Sequence, residues 1–421
     1  VPGDTSTITV VGIGGDVGIY ALCRAFHERY GATSVVLSSV ATRVMARSAI
    51  VENVVVPGLN DVETLLTALE GQARRLTGRT LVLLTNSDWH VHTLVEHRER
   101  LEAAGYVVQY PSADVLARVS TKEGFAQVCE TLGIPTPRTV PVDVAHLTAA
   151  GGRAAVPAAV QAADVLTYPV IAKPSDSSQW FAVSFPGKRK IHTLTGPEQL
   201  AELLGHLVDA GYPGTLLVQE YIPGDETQQR SLTAYRDSHG QVTLLATGRV
   251  LLEEHTPGTL GIPAAILVEP YEDAMQAATR FLDEVGYVGF ANFDFKRDRR
   301  DGRHVFFEVN PRVGRNNWYV TAGGASTAQA LVQDAVLGQS APLATATDEV
   351  LYSVVPFGLL KRYILDGRLR ARLEAVKARG GLVNPLKYRA DAGMARRLVV
   401  EGITQNYRRK YAQYYPSPST D

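Results

Sequence analysis

Oxygen-bearing side chains and arginines concentrate in residues 292–315, NFDFKRDRRDGRHVFFEVNPRVGR. Asp294 lies on one apolar run, Glu308 and Asn310 lie on the next, and the turn-rich segment RDRRDGR joins the two. A pair of adjacent strands would bring all three side chains to one edge. Hard cations such as Mg²⁺ take oxygen ligands and share them with substrate phosphates. Arg312, just past Pro311, can then face a transferring phosphoryl group or a developing oxyanion. The chemistry implied is that of ATP and magnesium.

The rest of the chain supplies parts for that chemistry by an unusual route. No GxxxxGK[ST] pattern occurs, and neither HRD nor DFG is present, so P-loop and protein-kinase architectures are excluded. Lys173 ends the apolar run PVIAKP and precedes the polar segment SDSSQW. A lysine at a strand end reaches phosphate oxygens as a point charge, while amides and hydroxyls such as those of Ser175 and Ser177 cover them. Lys122 opens an earlier helical pattern and offers a second positive charge. Gln219, Glu220, Tyr221 and Ile222 stand before Pro223-Gly224. Such a linker strand can read an adenine edge with one side chain, one carbonyl and one amide, and Asp225 or Glu226 can accept from ribose hydroxyls. Each piece alone has an ordinary reading as a surface charge, an edge carboxylate or a turn. Their order along the chain is the signal.

The positioning elements read as α/β. The β-branched run Thr7–Ile13 (TITVVGI) suits a buried parallel strand. Gly12, Gly14, Gly15 and Gly18 follow it, with Val17 where the third glycine of GxGxxG would fall. A tight strand-to-helix turn at the carboxyl edge of a sheet is therefore expected, not a dinucleotide fingerprint. Further strands are expected from Ser34, over Leu81–Asn86 and over Tyr106–Pro111, with helical patterns between them. This predicts a doubly wound parallel sheet over residues 1–119, as a substrate-side domain. A second unit, residues 120–345, starts with the capped helix STKEGFAQVCETLG. There a small-residue loop, a strand–loop–strand through SDSSQW, and paired strands LLVQE, RSLTAY and VTLLATGRV are expected. Residues 346–421 form a basic C-terminal segment, and between Leu351 and Asp421 it carries 14 Lys/Arg against 5 Asp/Glu.

Composition bounds the rest. A chain of 421 residues with 45% hydrophobic and 20% charged residues and a net charge of −1 suits two or three soluble globular domains. Cys23 and Cys129 stand far apart in no CxxC pattern, which argues against a disulfide scaffold or a zinc site and fits a reducing compartment. No apolar run approaches the ~18 residues that span a bilayer. VPGDTST reads as a short polar leader, so a cytoplasmic protein is expected. His90, His92 and His97 match no metal-ligand spacing. YRRKYAQYY mixes basic and aromatic residues without a recognised module, so no nucleic-acid partner is expected.

The ordered set (Lys122, Lys173 with its polar segment, QEYIPGDE, then Asp294 and EVNPR) resembles the ATP-grasp superfamily over about residues 1–340. RAFHERYG, STKEGF, AVSFPGKRKIH, LVQEYIPGD and DFKRDRRDGRHVFFEVNPRVGRNNWYVTAGG are similar to carboxylate–amine ligases of the D-aspartate ligase type, which add a D-amino acid to the peptidoglycan stem peptide. The resemblance implies an N-terminal pre-ATP-grasp sheet followed by an α+β ATP-grasp domain. It implies that Lys122 and Lys173 bind ATP phosphates and that Gln219 accepts from the adenine amino group. Glu220 and Ile222 would add backbone contacts, and Asp225 or Glu226 would hold ribose. Asp294, Glu308 and Asn310 would bind one or two Mg²⁺, and Arg312 would stabilise the acyl phosphate and the tetrahedral species after it. Arg249, retained in TGRV, would touch substrate. Arg315 and Asn316 either bind the amino-acid carboxylate or serve the turn.

The implied activity is an amide bond made from an amino-acid carboxylate, D-aspartate first, and an amine, through an acyl phosphate. The acceptor would be an amine-bearing small molecule, with a UDP-linked peptidoglycan precursor as one candidate. A dipeptide-forming ligase is the alternative, and an inactive nucleotide-binding regulator a third reading. A homodimer is one open option. Val250 stands where relatives often carry lysine, and SDSSQW lacks glycine; the first departure bears on substrate identity.

Overall fold

The computed structural model describes residues 5–175, 177–189 and 191–418, apart from the side chains of Ser177, Ser178 and Phe181. The chain divides into two compact units. The first comprises residues 1–134, 224–297 and 307–421, and the second residues 135–223 and 298–306.

In the first unit, β1 (Ile8–Ile13), β2 (Ser34–Ser38), β3 (Val51–Val55), β4 (Thr80–Thr85) and β5 (Tyr106–Val107) form a sheet in the order β3-β2-β1-β4-β5. The strands pair in parallel throughout. Every residue of β1 is buried, and alternate side chains enter different clusters. Ile8 and Val10 join Ile19, Tyr20 and Phe26; Val11 and Ile13 join Leu65, Leu66 and Leu69. Burial on both faces explains the unbroken apolar run. The edge strand β3 was not expected from the sequence. It reads VENVV and leaves Glu52 exposed, so it lacks the apolar signature of its neighbours. Beyond Val107 the expected strand to Pro111 leaves the ladder.

In the second unit, β6 (Thr139–Asp143), β7 (Val170–Pro174), β8 (His192–Leu194) and β9 (Thr215–Glu220) form an antiparallel sheet ordered β6-β9-β7-β8. Within residues 149–163, expected as a loop with one helical turn, a 3-10 turn over Gly152–Ala155 runs into the helix Val156–Ala162. The expected loop after Lys173 is also partly helical, over Ser177–Ala182. Trp180 holds that turn. It is 1% exposed, packs edge-on against Phe185 and Tyr212, and donates its indole N–H to the Arg189 carbonyl at 3.1 Å. Anchoring by one large aromatic overrides the polar local sequence.

The largest sheet has eight strands. Along β14-β13-β10-β11-β12-β16-β17 it runs through β10 (Gln229–Arg236), β11 (Val242–Glu253), β12 (Pro263–Val268), β13 (Gly289–Arg297) and β14 (His304–Asn310). β15 (Ala344–Thr345) pairs with β11, while β16 (Leu351–Ser353) and β17 (Leu382–Val383) extend the far edge. The basic C-terminal residues are thus built into the first unit. Its last helix, Met394–Tyr414, buries Arg396, Val400, Tyr407 and Tyr411. Among the described residues no helix is long and apolar enough to cross a membrane.

Candidate active site

Four segments of the first unit meet at one cavity of about 350 Å³, one of them the stretch from Leu260 to Pro263. The carboxyl end of β14 and the turn after it bring Glu308, Asn310, Arg312, Arg315 and Asn316, and β13 brings Asp294. The carboxyl end of β4 adds Asn86 and Asp88.

Strand parity sorts the side chains. Ser231 pairs with Asp294 and with Gly248, while the next pair in the ladder is Arg230 with Arg249. Successive side chains point to opposite faces, so Asp294 and Arg249 lie on different faces of the sheet. Arg249 donates to the Thr227 carbonyl at 2.9 Å and is not brought to the cavity. Asn292, two residues before Asp294, ties its own face together. Its Oδ1 accepts from Ser231 at 3.3 Å and Thr233 at 3.2 Å, and Asn316 donates to the same Ser231 hydroxyl at 3.3 Å. A side chain at position 314 would strike Asn316 Oδ1 at 2.3 Å and Asn292 Oδ1 at 2.7 Å, which explains Gly314.

A relay of hydrogen bonds links the chemistry-bearing groups. Arg312 donates to Asn310 Oδ1 at 3.0 Å, and Asn310 donates to Asp294 Oδ2 at 2.9 Å. Burial, and then the negative charge of Glu308, raise the Asp294 carboxyl above its usual range, and Arg312 opposes the shift. A carboxylate kept out of water beside another is relieved by a cation placed between them. Two carboxylates and an amide are hard oxygen donors that leave coordination places for phosphate oxygens. The residues present fit Mg²⁺.

The N-terminal sheet supplies groups not singled out from the sequence. Its strand order reverses between β1 and β4, the crevice where ligands bind in open α/β sheets. Asp16 follows β1. It caps the helix Val17–Tyr30 by accepting from Ile19 N at 3.0 Å, accepts from Asn86 at 2.8 Å and pairs with Arg315 at 2.6 Å. Asp88 follows β4 and pairs with Arg312 at 2.9 Å. A Cβ on Gly18 would lie 2.7 Å from the Arg315 backbone, so the glycine turn permits this close approach. The turn-at-the-carboxyl-edge reading pointed here, but these partners lie over 200 residues away in sequence. His90, just beyond, is buried and its pKa is pushed down to about 4 by desolvation, a neutral packed imidazole. Ser326 is an ordinary helix cap, accepting from Gln329 N at 3.2 Å. Both cysteines are buried.

Of the expected nucleotide-binding residues, Lys173, Ser175, Gln219, Glu220 and Ile222 lie in the second unit. Lys173 sits on β7 opposite Leu217 of β9, and Gln219 pairs with Ile171. Ser175 follows β7, its amide bonded to the Thr215 carbonyl at 3.0 Å. Ser177 starts the helix after it, with its side chain outside the described residues. Gln219 donates to Thr139 at 2.9 Å. The Glu220 carboxylate is held by Arg300 at 2.5 Å. The remaining three lie in the first unit. Lys122 is the first residue of the helix Lys122–Leu132, capped by Thr121. Asp225 caps a 3-10 turn by accepting from Thr227 N at 2.9 Å. Glu226 accepts from Glu253 N at 2.8 Å and lies 2.5 Å from His255 Nε2.

Glu253 is a second carboxyl with an unusual pKa. Burial, then Glu226 and Asp294, push it up to about 8, and Lys296 opposes. An acid raised in the folded state stabilises the protein fully below its unfolded pKa, and that stability is lost as pH rises through the folded value. Metal-free protein should therefore lose melting temperature between about pH 4.5 and 8. Glu253→Gln should flatten that slope and melt a few degrees (~2–5 °C) higher than the parent at pH 8.5, with the gap closing at pH 4.5. Equal melting temperatures at both pH values would refute the assignment.

Comparison with known proteins gives the ATP-binding domain and the fold. A family model described as the carbamoyl-phosphate synthase L chain ATP-binding domain matches residues 138–323. D-aspartate ligase of Enterococcus faecium (strain Aus0004) is 28% identical over 414 residues, 96% of each chain. N5-carboxyaminoimidazole ribonucleotide synthetase from Thermus thermophilus superposes with a TM-score of 0.53 at 22% identity, over 81% of each chain. The L-amino acid ligase from Bacillus licheniformis gives 0.53 at 14% identity, over 78% of this chain and 74% of its own. The chain carries an ATP-grasp domain over residues 138–323. It is an ATP-dependent carboxylate–amine ligase, with the N-terminal parallel sheet and mixed central sheet expected from its sequence. A match to an ATP-binding domain in a sequence without GxxxxGK[ST] accords with a nucleotide site of another architecture.

Proposed function

We propose that this ligase activates the carboxylate of an amino acid, D-aspartate first, and joins it to an amine on a peptidoglycan precursor in the cytoplasm. The observation that carries the reading is the cavity where Asp294, Glu308, Asn310 and Arg312 stand beside Arg315 and Asn316. Similarity to a D-aspartate ligase over nearly the whole chain supports the substrate. Residues 120–345 would carry the nucleotide and the chemistry, and residues 1–119 the substrate side. Arg249 would serve the site indirectly, by holding the Thr227 carbonyl and with it the turn that carries Asp225 and Glu226.

Asp294, Glu308 and Asn310 would hold Mg²⁺, which neutralises phosphate charge. Lys122, Lys173, Ser175 and Ser177 would line the phosphates. Gln219 would read the adenine amino group, the backbones of Glu220 and Ile222 its ring, and Asp225 or Glu226 the ribose. The γ-phosphorus bond to the β-phosphate oxygen breaks as a carboxylate oxygen bonds to phosphorus, and ADP leaves. The amine nitrogen then bonds to the acyl carbon, the carbon–oxygen bond to phosphate breaks, and the amine loses a proton. Positioning and charge neutralisation suffice for the first step. Arg312 faces the oxyanion in the second. Arg315 and Asn316 would hold the α-carboxylate of the activated amino acid.

The test is magnesium-dependent ADP and phosphate release across single D- and L-amino acids, with and without a UDP-linked stem-peptide precursor. Release with D-aspartate that requires the precursor supports the proposal. Release with an amino-acid pair and no precursor assigns a dipeptide ligase instead. Size-exclusion with light scattering distinguishes a monomer from a homodimer.

A further inference from the structure

The geometry points to a separate chamber for the amine-bearing substrate, walled by the C-terminal helix Met394–Tyr414, in which Lys410 reads an anionic group of that substrate. This rests on the ligase reading above. A second cavity of about 250 Å³ shares Ile262, Pro263 and Arg315 with the cavity that holds Asp294 and Arg312. Its own walls include Asp16, Glu254, Tyr407 and Lys410. Arg315 therefore stands at the junction of two joined spaces.

An amide ligase needs that arrangement. The carboxylate to be activated must lie against the metal-binding groups, and the amine must reach the acyl carbon from elsewhere. The first cavity contains the groups for the former, and the second has none of them. The second is instead bordered by two cations, each set against a carboxylate of the chain. Arg315 pairs with Asp16 at 2.6 Å. Lys410 Nζ lies 3.6 Å from Glu254 Oε2, outside hydrogen-bond distance. Glu254 does not depend on Lys410 for partners: Thr259 donates to Oε2 at 2.9 Å and Tyr407 to Oε1 at 3.1 Å. A loosely paired ammonium with its side chain 32% exposed has donors to offer a ligand carboxylate or phosphate. The acceptor this chamber fits is a peptide or amino acid carrying an anionic group near its free amine.

The helical wall lies outside the matched ATP-binding domain. The matched ATP-binding domain ends at residue 323, well before the helix. Glu254 lies in the EEH run that follows the Val250 departure.

The experiment separates a substrate-reading lysine from one that merely pins a helix. Initial rates of ADP release are measured with the UDP-linked stem-peptide precursor varied, then with ATP and D-aspartate varied. Titration calorimetry of the precursor into each protein gives binding directly. Lys410→Met should raise KM and Kd for the precursor roughly 10-fold, the loss of one charge-assisted hydrogen bond, while KM for ATP and D-aspartate stays unchanged. Lys410→Arg should restore most of the binding. Tyr411→Phe is the control: its hydroxyl pins the same helix to the Glu253 carbonyl at 2.6 Å without lining the chamber. That variant should melt lower and keep the parental precursor KM. Unchanged precursor binding in Lys410→Met overturns the chamber assignment, as does an equal rise in all three KM values. Absence of turnover by the parent with any amino acid overturns the ligase reading itself.

Discussion

Glu308→Ala should reduce magnesium-dependent ADP release by ~10³-fold or more while the protein stays folded. Glu308 is exposed at the cavity, so its loss leaves no buried hole. The size of the effect follows from the charge that phosphoryl transfer must neutralise, since each ~1.4 kcal/mol of lost transition-state stabilisation is a tenfold loss in rate. Asp294→Asn should be equally inactive, and it should also melt higher than the parent without metal. The reason is the sign of the Asp294 shift. Burial and Glu308 raise its carboxyl above the ordinary range, so its contribution to stability is present at low pH and lost as pH rises through the raised value. Added MgCl₂ should reverse that loss, and the rise in melting temperature on adding it should be larger at pH 8 than at pH 5, where protons compete for the ligands. Both variants should lose the response. Undiminished ADP release by Glu308→Ala would remove it from the metal set.

Asp391→Ala should destabilise the first unit by ~3–5 kcal/mol, through a charge left buried without its partner. Asp391 and Arg396 are 2% and 1% exposed and lie 3.4 Å apart. Asp391 also accepts from Tyr20 at 2.6 Å, Ser48 at 2.8 Å and Ala49 N at 2.5 Å. Arg396 donates to the carbonyls of Val44 at 2.6 Å and Ala46 at 3.0 Å and stacks over the Tyr20 ring. One carboxylate thus joins the C-terminal segment to the first helix and to the loop after β2. The measurement is the melting midpoint, expected roughly 10 °C lower for a chain of this size. Asp391→Asn, which keeps an acceptor but not the charge, should fall between. A midpoint within about 2 °C of the parent for Asp391→Ala would show that water replaces the lost acceptors.

The two variants probe features that differ in how far the sequence revealed them. Asp294 and Asn310 could be named because two apolar runs with a short turn between them imply neighbouring strands, and side-chain type then implies metal chemistry. The parallel sheet was legible for the same local reason. Its inner strands are β-branched and buried on both faces, a pattern that survives in one dimension. The edge strand Val51–Val55 was not, because a half-exposed strand carrying Glu52 resembles loop. Ser177–Ala182 read as loop because the burial of Trp180 among Phe185 and Tyr212, which anchors that helix, comes from packing that the local polar pattern does not show.

The sequence by itself determined the ATP-grasp order of parts, the candidate metal ligands and the absence of a P-loop, all carried by residue type and near-neighbour spacing. Only the tertiary structure decided that Asp16 meets Arg315 and Asp88 meets Arg312, since each pair is more than 200 residues apart in sequence. It alone placed Arg249 on the other face of its sheet, because strand parity depends on register with a partner strand. It alone turned a basic tail into the wall of a chamber. Electrostatics and packing act through space, and in this chain the groups that position the chemistry are close only there.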